Sequence, residues 1–326
     1  MNREPVTGPL HSPPPIALSR QAAAARGLSF LQRLYPVYGF QSFISQTPDM
    51  LNPVASPDAL YPGLATFPLE VFTTMIVTDL IFKWWAGPAL RNDLLRTVQD
   101  AHTNGIFHFF ANRNLLPADV DCTAIGLSIL LETGWLNPEL ANQVINIIVN
   151  NTDDEGIVKV YFPPAAHRQY VDPVVCVNAL YLMALLGRQD EAQATEAFIF
   201  RFLTSKAYWQ GTRYYPSPDA FLYFLARLGG RFDFYRERLN ELLRQALIDR
   251  AGATNMSLDL AMRLIVARQV DITNADEGDK LLRQQNDDGA WPADAFFRFG
   301  RRHGFFGSQA LTTAFAVAAL LSPNSR

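Results

Sequence analysis

Asp119-Val120-Asp121-Cys122-Thr123-Ala124, running into Ile125-Gly126-Leu127-Ser128-Ile129-Leu130-Leu131, is the stretch from which the architecture of this chain can be read. Two carboxylates and a thiol fall within four residues, shortly after Pro117 and just before an apolar run. An aspartate ahead of such a run reads as a helix N-cap, because its carboxylate accepts the free N–H groups of the first turn. The run itself is apolar on every side, whereas a surface helix keeps one polar face. A buried helix therefore begins here, and its mouth is where polar groups meet an apolar wall.

Working outward, the same kind of segment recurs at Val174 to Leu186, Leu258 to Ala267 and Ala310 to Leu321. Between them lie segments with one charged face, marked by Arg91-Asn92-Asp93, Asn142-Gln143, Arg236-Glu237-Arg238 and Lys280-Leu281-Leu282-Arg283. The helical period predicts twelve helices, beginning near Leu18, Phe67, Pro88, Asp119, Pro138, Asp172, Glu191, Ser217, Phe232, Ser257, Ala275 and Ser308. Alternation of the two types suits an outer and an inner ring. Asp172 before Pro173 and Ser217 before Pro218 repeat the cap, now with proline at the first helical position. The links into the inner helices carry glycine and then aromatics: Gly39-Phe40, Gly105-Ile106-Phe107, Gly156 with Tyr161-Phe162, Gly211 with Tyr214-Tyr215, and Gly289-Ala290-Trp291. Only the fifth link, around Gly252, lacks the aromatic. The repeat, about 37 to 66 residues long, has the span of stacked helix hairpins. Six of them give an all-α (α/α)6 toroid with glycine-aromatic turns over residues 18–326. Residues 1–17, rich in proline, read as a disordered or extended N-terminal segment.

Composition narrows the function. Hydrophobic residues make up 49% and charged residues 18%, enough for a large core. The net charge is −3 and like charges form no block, which argues against a nucleic-acid partner. Two cysteines in 326 residues point to a reducing compartment. The N-terminal residues show no signal-type apolar run, and the longest apolar stretch, Val71 to Trp85, carries Asp79 and Lys83. The expectation is a soluble, cytoplasmic protein, with room for peripheral contact with a membrane.

At this point the sequence resembles the terpenoid-cyclase and protein-prenyltransferase superfamily. Gln285-Asn286-Asp287-Asp288-Gly289-Ala290-Trp291 resembles the QW motif of squalene cyclases, and Phe306 to Ala314 resembles the inner helix that follows it. Asp119-Val120-Asp121 with Thr123-Ala124 resembles the DXDD-Thr-Ala motif of squalene–hopene cyclase and class II diterpene cyclases. Asp121-Cys122-Thr123-Ala124 is similar to the oxidosqualene cyclase motif. The resemblance implies that Asp121 stands where those enzymes hold their proton donor, and that Cys122 and Cys176 match the two cysteines flanking the oxidosqualene acid. It implies a class II-like terpene cyclase acting on a hydrophobic isoprenoid, with no cofactor in the acid step and Mg²⁺ useful if the substrate is a diphosphate. It covers about residues 25 to 322, one toroid. Class II cyclases normally bind substrate between two toroids, so a homo- or hetero-oligomer completing the cavity is also expected. The fourth motif position is Cys122 rather than aspartate.

The residues support this chemistry independently. Protonating an alkene needs a carboxylic acid that keeps its proton, away from water. A helix N-terminus works against that, because its dipole favours the carboxylate. Two neighbouring carboxylates resolve the conflict: Asp119 caps and stays ionised, and its charge together with desolvation raises the pKa of Asp121. The thiols of Cys122 and Cys176 are weak donors to the aspartate anion that forms. Aromatic faces stabilise a migrating cation, roughly 0.5–2 kcal/mol each. The candidates are Phe107, Phe109, Tyr161, Tyr170, Tyr181, Tyr215, Phe221, Trp291, Phe296 and Phe305.

Plainer readings stand beside these. Asp119 and Asp121 also read as a cap with an acidic first turn, the cysteines as small core residues, and the aromatics as packing. Asp172 and Asp219 read as caps or loop anchors, and Glu70 and Asp259 lie inside predicted inner helices, where a buried acid needs a partner. His108, His167, His303, Arg113, Arg168, Arg213, Arg298, Arg301 and Arg302 fall in loops. They read as a solvated face or as a site for a diphosphate. A zinc site is not supported, because Asp119 and Cys122 lack the Asp-X-Cys spacing of the prenyltransferases. The alternative to an enzyme is a toroid that binds a lipid or prenyl chain, or one subunit of a two-toroid complex.

Overall fold

The computed structural model describes residues 19–50, 69–84, 87–165, 169–300 and 304–321. Twelve α-helices are found among them: α1 Arg20–Tyr38, α2 Phe72–Ile81, α3 Pro88–Asp100, α4 Val120–Glu132, α5 Pro138–Val149, α6 Pro173–Leu185, α7 Gln193–Thr204, α8 Pro218–Arg231, α9 Asp233–Asp249, α10 Ser257–Gln269, α11 Ala275–Arg283 and α12 Gln309–Leu320. The even-numbered helices pack in a closed cycle. Each touches the next, from α2 through α4, α6, α8 and α10 to α12, and α12 returns to α2. The odd-numbered helices lie against members of this cycle: α1 on α12, α5 on α4, α7 on α6 and α11 on α10.

Burial separates the two sets as the sequence pattern demands. In α4 every residue from Val120 to Leu130 is buried, whereas α5 buries only Ala141, Val144, Ile145 and Ile148, one stripe at helical spacing. The caps are formed. The Asp119 carboxylate accepts from Cys122 N at 2.7 Å, Asp172 from Val174 N at 2.9 Å, and Ser217 Oγ from Asp219 N at 3.1 Å. One expected start moves: α2 begins at Phe72, so Glu70 lies ahead of the helix and accepts from Thr73 N and Ser42 N. Phe67 and residues 1–17 lie outside the described residues.

The turns between outer and inner helices are pinned by threonines. Thr123 Oγ1 accepts from Phe107 N, and Thr313 Oγ1 accepts from Trp291 N, both at 3.0 Å. The Thr-Ala pairs at positions 123–124 and 313–314 thus perform one task, each holding the residue two after a turn glycine. Gly289 has φ +93°, and a Cβ there would meet the Arg26 carbonyl at 2.6 Å. Gln285 beside it donates to Ala23 O and Gly289 O, tying the last turn to the first helix.

The sequence shows no convincing strand apart from short loop pieces, and the described residues contain five short strands. β2 His102–Thr103 and β3 Ile106–Phe107 form a hairpin. β1 Phe43–Ser45, β4 Ala295–Arg298 and β5 Phe305–Gly307 form an antiparallel sheet in the order β1-β5-β4. This sheet lies at the end of the cycle where the even-numbered helices begin. Gly307 is required there, since any Cβ would fall 1.9 Å from the Asp294 carbonyl oxygen.

Candidate active site

An apolar cavity of about 70 Å³, several times the roughly 10–15 Å³ that one water needs, lies at the N-terminal ends of α2, α4 and α6. Asp119, Asp121 and Cys122 from the start of α4 form part of its wall, with Val175 from α6 and Phe72 from α2. Tyr214 and Tyr215 line it from the segment before α8, and Phe297, Arg298, Phe299 and Phe306 from the small sheet. Phe109, Leu116, Val160 and Tyr161 complete it, so eight of the fifteen lining residues are aromatic. Phe297 stacks on Phe306 with centroids 5.0 Å apart, and Phe72 and Phe109 meet Phe297 edge-on at 5.6 and 5.2 Å.

Asp121 is buried, 8% exposed, and both of its oxygens are held. Oδ1 accepts from Asn178 Nδ2 at 2.8 Å and Oδ2 accepts from the Tyr215 hydroxyl at 2.5 Å. Burial is the main reason its pKa is pushed up to about 7; the Tyr215 hydrogen bond pulls it down and the Asp119 charge pushes it up. Asp119 is raised to about 6, again chiefly by burial, and hydrogen bonds from Cys122 and Asp121 restrain it. The order of the two is the one expected, but their mutual repulsion is secondary to loss of water.

The support around Asp121 differs from the expected one. The Cys122 thiol hydrogen-bonds to Asp119, not Asp121, and burial pushes its pKa well up. Cys176 lies outside the cavity lining, with its thiol toward the Val158 carbonyl at 3.6 Å. Asn178 was missed by sequence reasoning. The available signal was an amide standing in the otherwise nearly apolar run Val174 to Leu186. Tyr215, expected as a cation-stabilising face, presents its hydroxyl to Asp121. Its loop is anchored on two sides: Asp172 Oδ2 accepts from Tyr214 N at 3.1 Å, and Arg298 donates to the carbonyls of Thr212 and Arg213.

Of the aromatic candidates, Phe109, Tyr161 and Tyr215 line the cavity. The others sit elsewhere. Phe107 lies beneath α4 against Gly126, and Tyr170 carries the Arg213 guanidinium 3.6 Å from its centroid. Tyr181 donates to Glu132, and Phe221 packs on Phe202 and Tyr208. Trp291 donates its indole N–H to Leu281 O, and Phe296 backs Tyr215 at 5.3 Å. Phe305 is a strand residue paired with Ser45 and Arg298. Spacing along a loop does not encode direction, and these rings were claimed by the core.

The loop cations divide as well. Arg298 lines the cavity, whereas His167, Arg168, Arg301, Arg302 and His303 lie outside the described residues. Asp219, expected as a cap or loop anchor, is the acid partner of Arg250 and Arg263. Asp259 accepts from Ser217 and Thr254. Among the described residues no group of three or more His, Cys, Asp and Glu is arranged to hold a metal ion, and no helix is long and apolar enough to cross a membrane.

Part of the sequence is similar to terpene cyclases, and the fold is one that solved terpene cyclases share. Residues 89–185 match the family described as the sesquiterpene cyclase astC-like C-terminal domain. Drimenol cyclase drtB of Aspergillus calidoustus is 34% identical over 206 residues, which are 63% of this chain. The chain spans 38% of the length of that curated relative. The type II terpene cyclase MstE from Scytonema has the same fold, with a TM-score of 0.64 at 14% identity over 92% of this chain and 97% of MstE. A variant of MstE that holds geranylgeranyl dihydroxybenzoate as substrate superposes equally well, with a TM-score of 0.64 at 13% identity over 92% and 96%. A protein from Actinoplanes reaches 0.66 at 16% identity over 93% and 98%.

Proposed function

We propose that this chain is a proton-initiated terpene cyclase in which Asp121 is the general acid. The observation that carries the reading is the Asp121 carboxyl, one of two in the wall of an aromatic cavity, raised to about 7 by burial and with both oxygens held. The closed cycle of even-numbered helices is read as the inner ring of an (α/α)6 toroid, and the glycine-aromatic turns as its hairpin links. The Gln285–Trp291 segment is read as its QW motif and Asp119–Asp121 as its DXDD-like motif.

The geometry supports the following course for the reaction. Asp121 transfers its proton to the terminal alkene carbon, or to an epoxide oxygen, of an isoprenoid lying in the cavity. The carbocation so formed is attacked by the next double bond, and the cascade ends when a C–H proton is lost or water adds. As the proton leaves, Asp121 becomes an anion. The bonds from Asn178 and Tyr215 then become charge-assisted, and stronger in the transition state than before it. Asp119 caps α4 and, when ionised, disfavours early loss of the Asp121 proton. The surrounding rings stabilise the migrating charge and keep water out. The acid step uses this chain's own carboxyl; Mg²⁺ enters only if the substrate carries a diphosphate. The relatives favour an isoprenoid of fifteen to twenty carbons. A lipid-holding role alone gives no reason for a carboxyl positioned from two sides.

The test is incubation of the chain and its Asp121→Asn variant with prenyl alcohols, diphosphates and epoxides of ten to thirty carbons, read by gas chromatography. Cyclic product from the parent and none from Asp121→Asn is expected. Undiminished product from the variant refutes the assignment.

A further inference from the structure

The cavity lies on one side of Asp121; a row of polar side chains lies on the other. Ser128 and Glu132 follow Asp121 by seven and eleven residues on α4, so all three lie on one stripe of that helix. On α6, Asn178 and Tyr181 are three residues apart and face the same seam. The seam is bonded at both ends: Asn178 Nδ2 to Asp121 at 2.8 Å, and the Tyr181 hydroxyl to Glu132 at 2.8 Å. Between these bonds two atoms are buried without a hydrogen-bond partner, Ser128 Oγ and Asn178 Oδ1. Both residues are at most 1% exposed, in helices that are otherwise almost wholly apolar. A buried oxygen of this kind calls for a partner, and an ordered water would supply one. Asn178 Oδ1 is within about 5 Å of the Asp121 carboxylate, the width of an amide plus one hydrogen bond. At the far end Glu132 reaches the surface and pairs with Arg231, whose side chain is 55% exposed, and with Arg227 at 3.9 Å.

We propose that this seam between α4 and α6 returns protons to Asp121 from the end of the ring opposite the cavity. The inference rests on the reading of Asp121 as the acid. Once Asp121 has given its proton to the substrate, it is a carboxylate beside a cavity filled by an apolar product. A water held by Asn178 Oδ1 gives Asp121 a proton and takes one from the water at Ser128. The chain continues through the Tyr181 hydroxyl to Glu132 and bulk solvent. The proton released at the end of cyclisation enters solvent, so each turnover balances.

Thr and Val have the same shape and differ in the hydroxyl, so Ser128→Thr and Ser128→Val separate the relay from packing. With farnesyl diphosphate as the probe, Ser128→Val is expected to form one equivalent of product at the parent rate and then turn over at least tenfold more slowly. Ser128→Thr is expected to keep the parent's steady rate, and Asp121→Asn to lose the first equivalent too. A steady rate in Ser128→Val equal to that in Ser128→Thr overturns the relay and leaves the acid standing. A first equivalent in Asp121→Asn overturns the acid and the relay with it. A high-resolution crystal structure tests the seam without any substrate. Water within hydrogen-bonding distance of Ser128 Oγ and Asn178 Oδ1 is expected, and a dry seam refutes the proposal.

Discussion

Replacing Tyr215 by phenylalanine removes one hydroxyl and leaves the ring that packs on Phe224 and Phe296 at 5.7 and 5.3 Å. The lost bond is the 2.5 Å contact to Asp121 Oδ2, the strongest of the influences holding the Asp121 pKa down. A hydrogen bond to a charged group contributes about 1.5–3 kcal/mol, and one pKa unit corresponds to about 1.4 kcal/mol. Asp121 should therefore move from about 7 to about 8–9, because the anion loses its donor while burial still favours the neutral form. The shift can be read from the ¹³Cγ resonance of Asp121 during a pH titration, assigned by its loss in Asp121→Asn. In turnover the same change moves the alkaline limb of the pH–rate profile upward. It also lowers the plateau by roughly threefold to tenfold, because a weaker acid protonates more slowly. A midpoint that stays near 7 or falls in Tyr215→Phe refutes the claim that this hydroxyl sets the acidity of Asp121.

Other perturbations test the scaffold. Asp119→Ala should cost about 1 kcal/mol through loss of the α4 cap, whereas Asp119→Asn should keep most of it; chemical denaturation measures both. Asp119, Asp121, Asp259 and Asp294 all have raised pKa values, of about 6 to 7. Their contribution to stability is full below about pH 4 and is lost as pH rises through 6 to 7, since the folded state holds protons that the unfolded chain releases. Tm should therefore fall between pH 5 and pH 8, and fall less in Asp121→Asn; an equal fall in the variant counts against a buried neutral Asp121. Gly126→Ala places a methyl 2.6 Å from the Phe107 ring and should destabilise by about 1–3 kcal/mol in urea denaturation. Arg227 pairs with Asp79 through two bonds of 2.9 Å and stacks over Tyr181. Arg227→Ala should cost about 3–5 kcal/mol by the same measurement, because it strands a half-buried carboxylate.

The helices and their caps were legible because they depend on local chemistry. Asp172-Pro173 and Ser217-Pro218 announce a cap and a first turn whatever surrounds them, and the structure forms both. The start of α2 was not legible. Leu69, Glu70 and Val71 continue an apolar pattern, and only the tertiary bonds from Ser42 and Gln41 show that the chain is still extended there. The sheet β1-β5-β4 was hidden for the same reason, since its strands are three or four residues long and far apart in sequence. In the candidate site, Asp121 stood out in the sequence as the proposed acid, but the partners that hold its oxygens did not. Asn178 and Tyr215 lie 57 and 94 residues away, and nothing in their local sequence fixes which way the side chains point. The aromatics erred in one direction: Phe221, Trp291 and Phe296 are large enough to be useful to the core, and the core took them.

The position of the proposed acid poses a physical problem that this arrangement answers. The first turn of a helix stabilises negative charge, by about 0.3–1 kcal/mol at an exposed site. A group meant to keep its proton is badly placed there unless another effect is larger. Burial is larger: the full shift of Asp121, from 3.8 to about 7, exceeds what the dipole returns by severalfold. The helix end then contributes where its sign helps. The free N–H groups are taken by Asp119, whose carboxylate accepts from Cys122 N, so the preference of the dipole for an anion is met by the cap. Asp121, two residues on, turns to Asn178 and Tyr215 on other elements. Two carboxylates on one turn thus meet different partners, Asp119 the backbone and Asp121 side chains, while burial raises both. Exchanging those environments, for example by giving Asp121 a third donor at position 175 with Val175→Thr, should lower its pKa. It should also slow protonation at neutral pH, because less of the acid then carries its proton. An unchanged titration midpoint in Val175→Thr would show that the Asp121 environment is not set by the donors that face it.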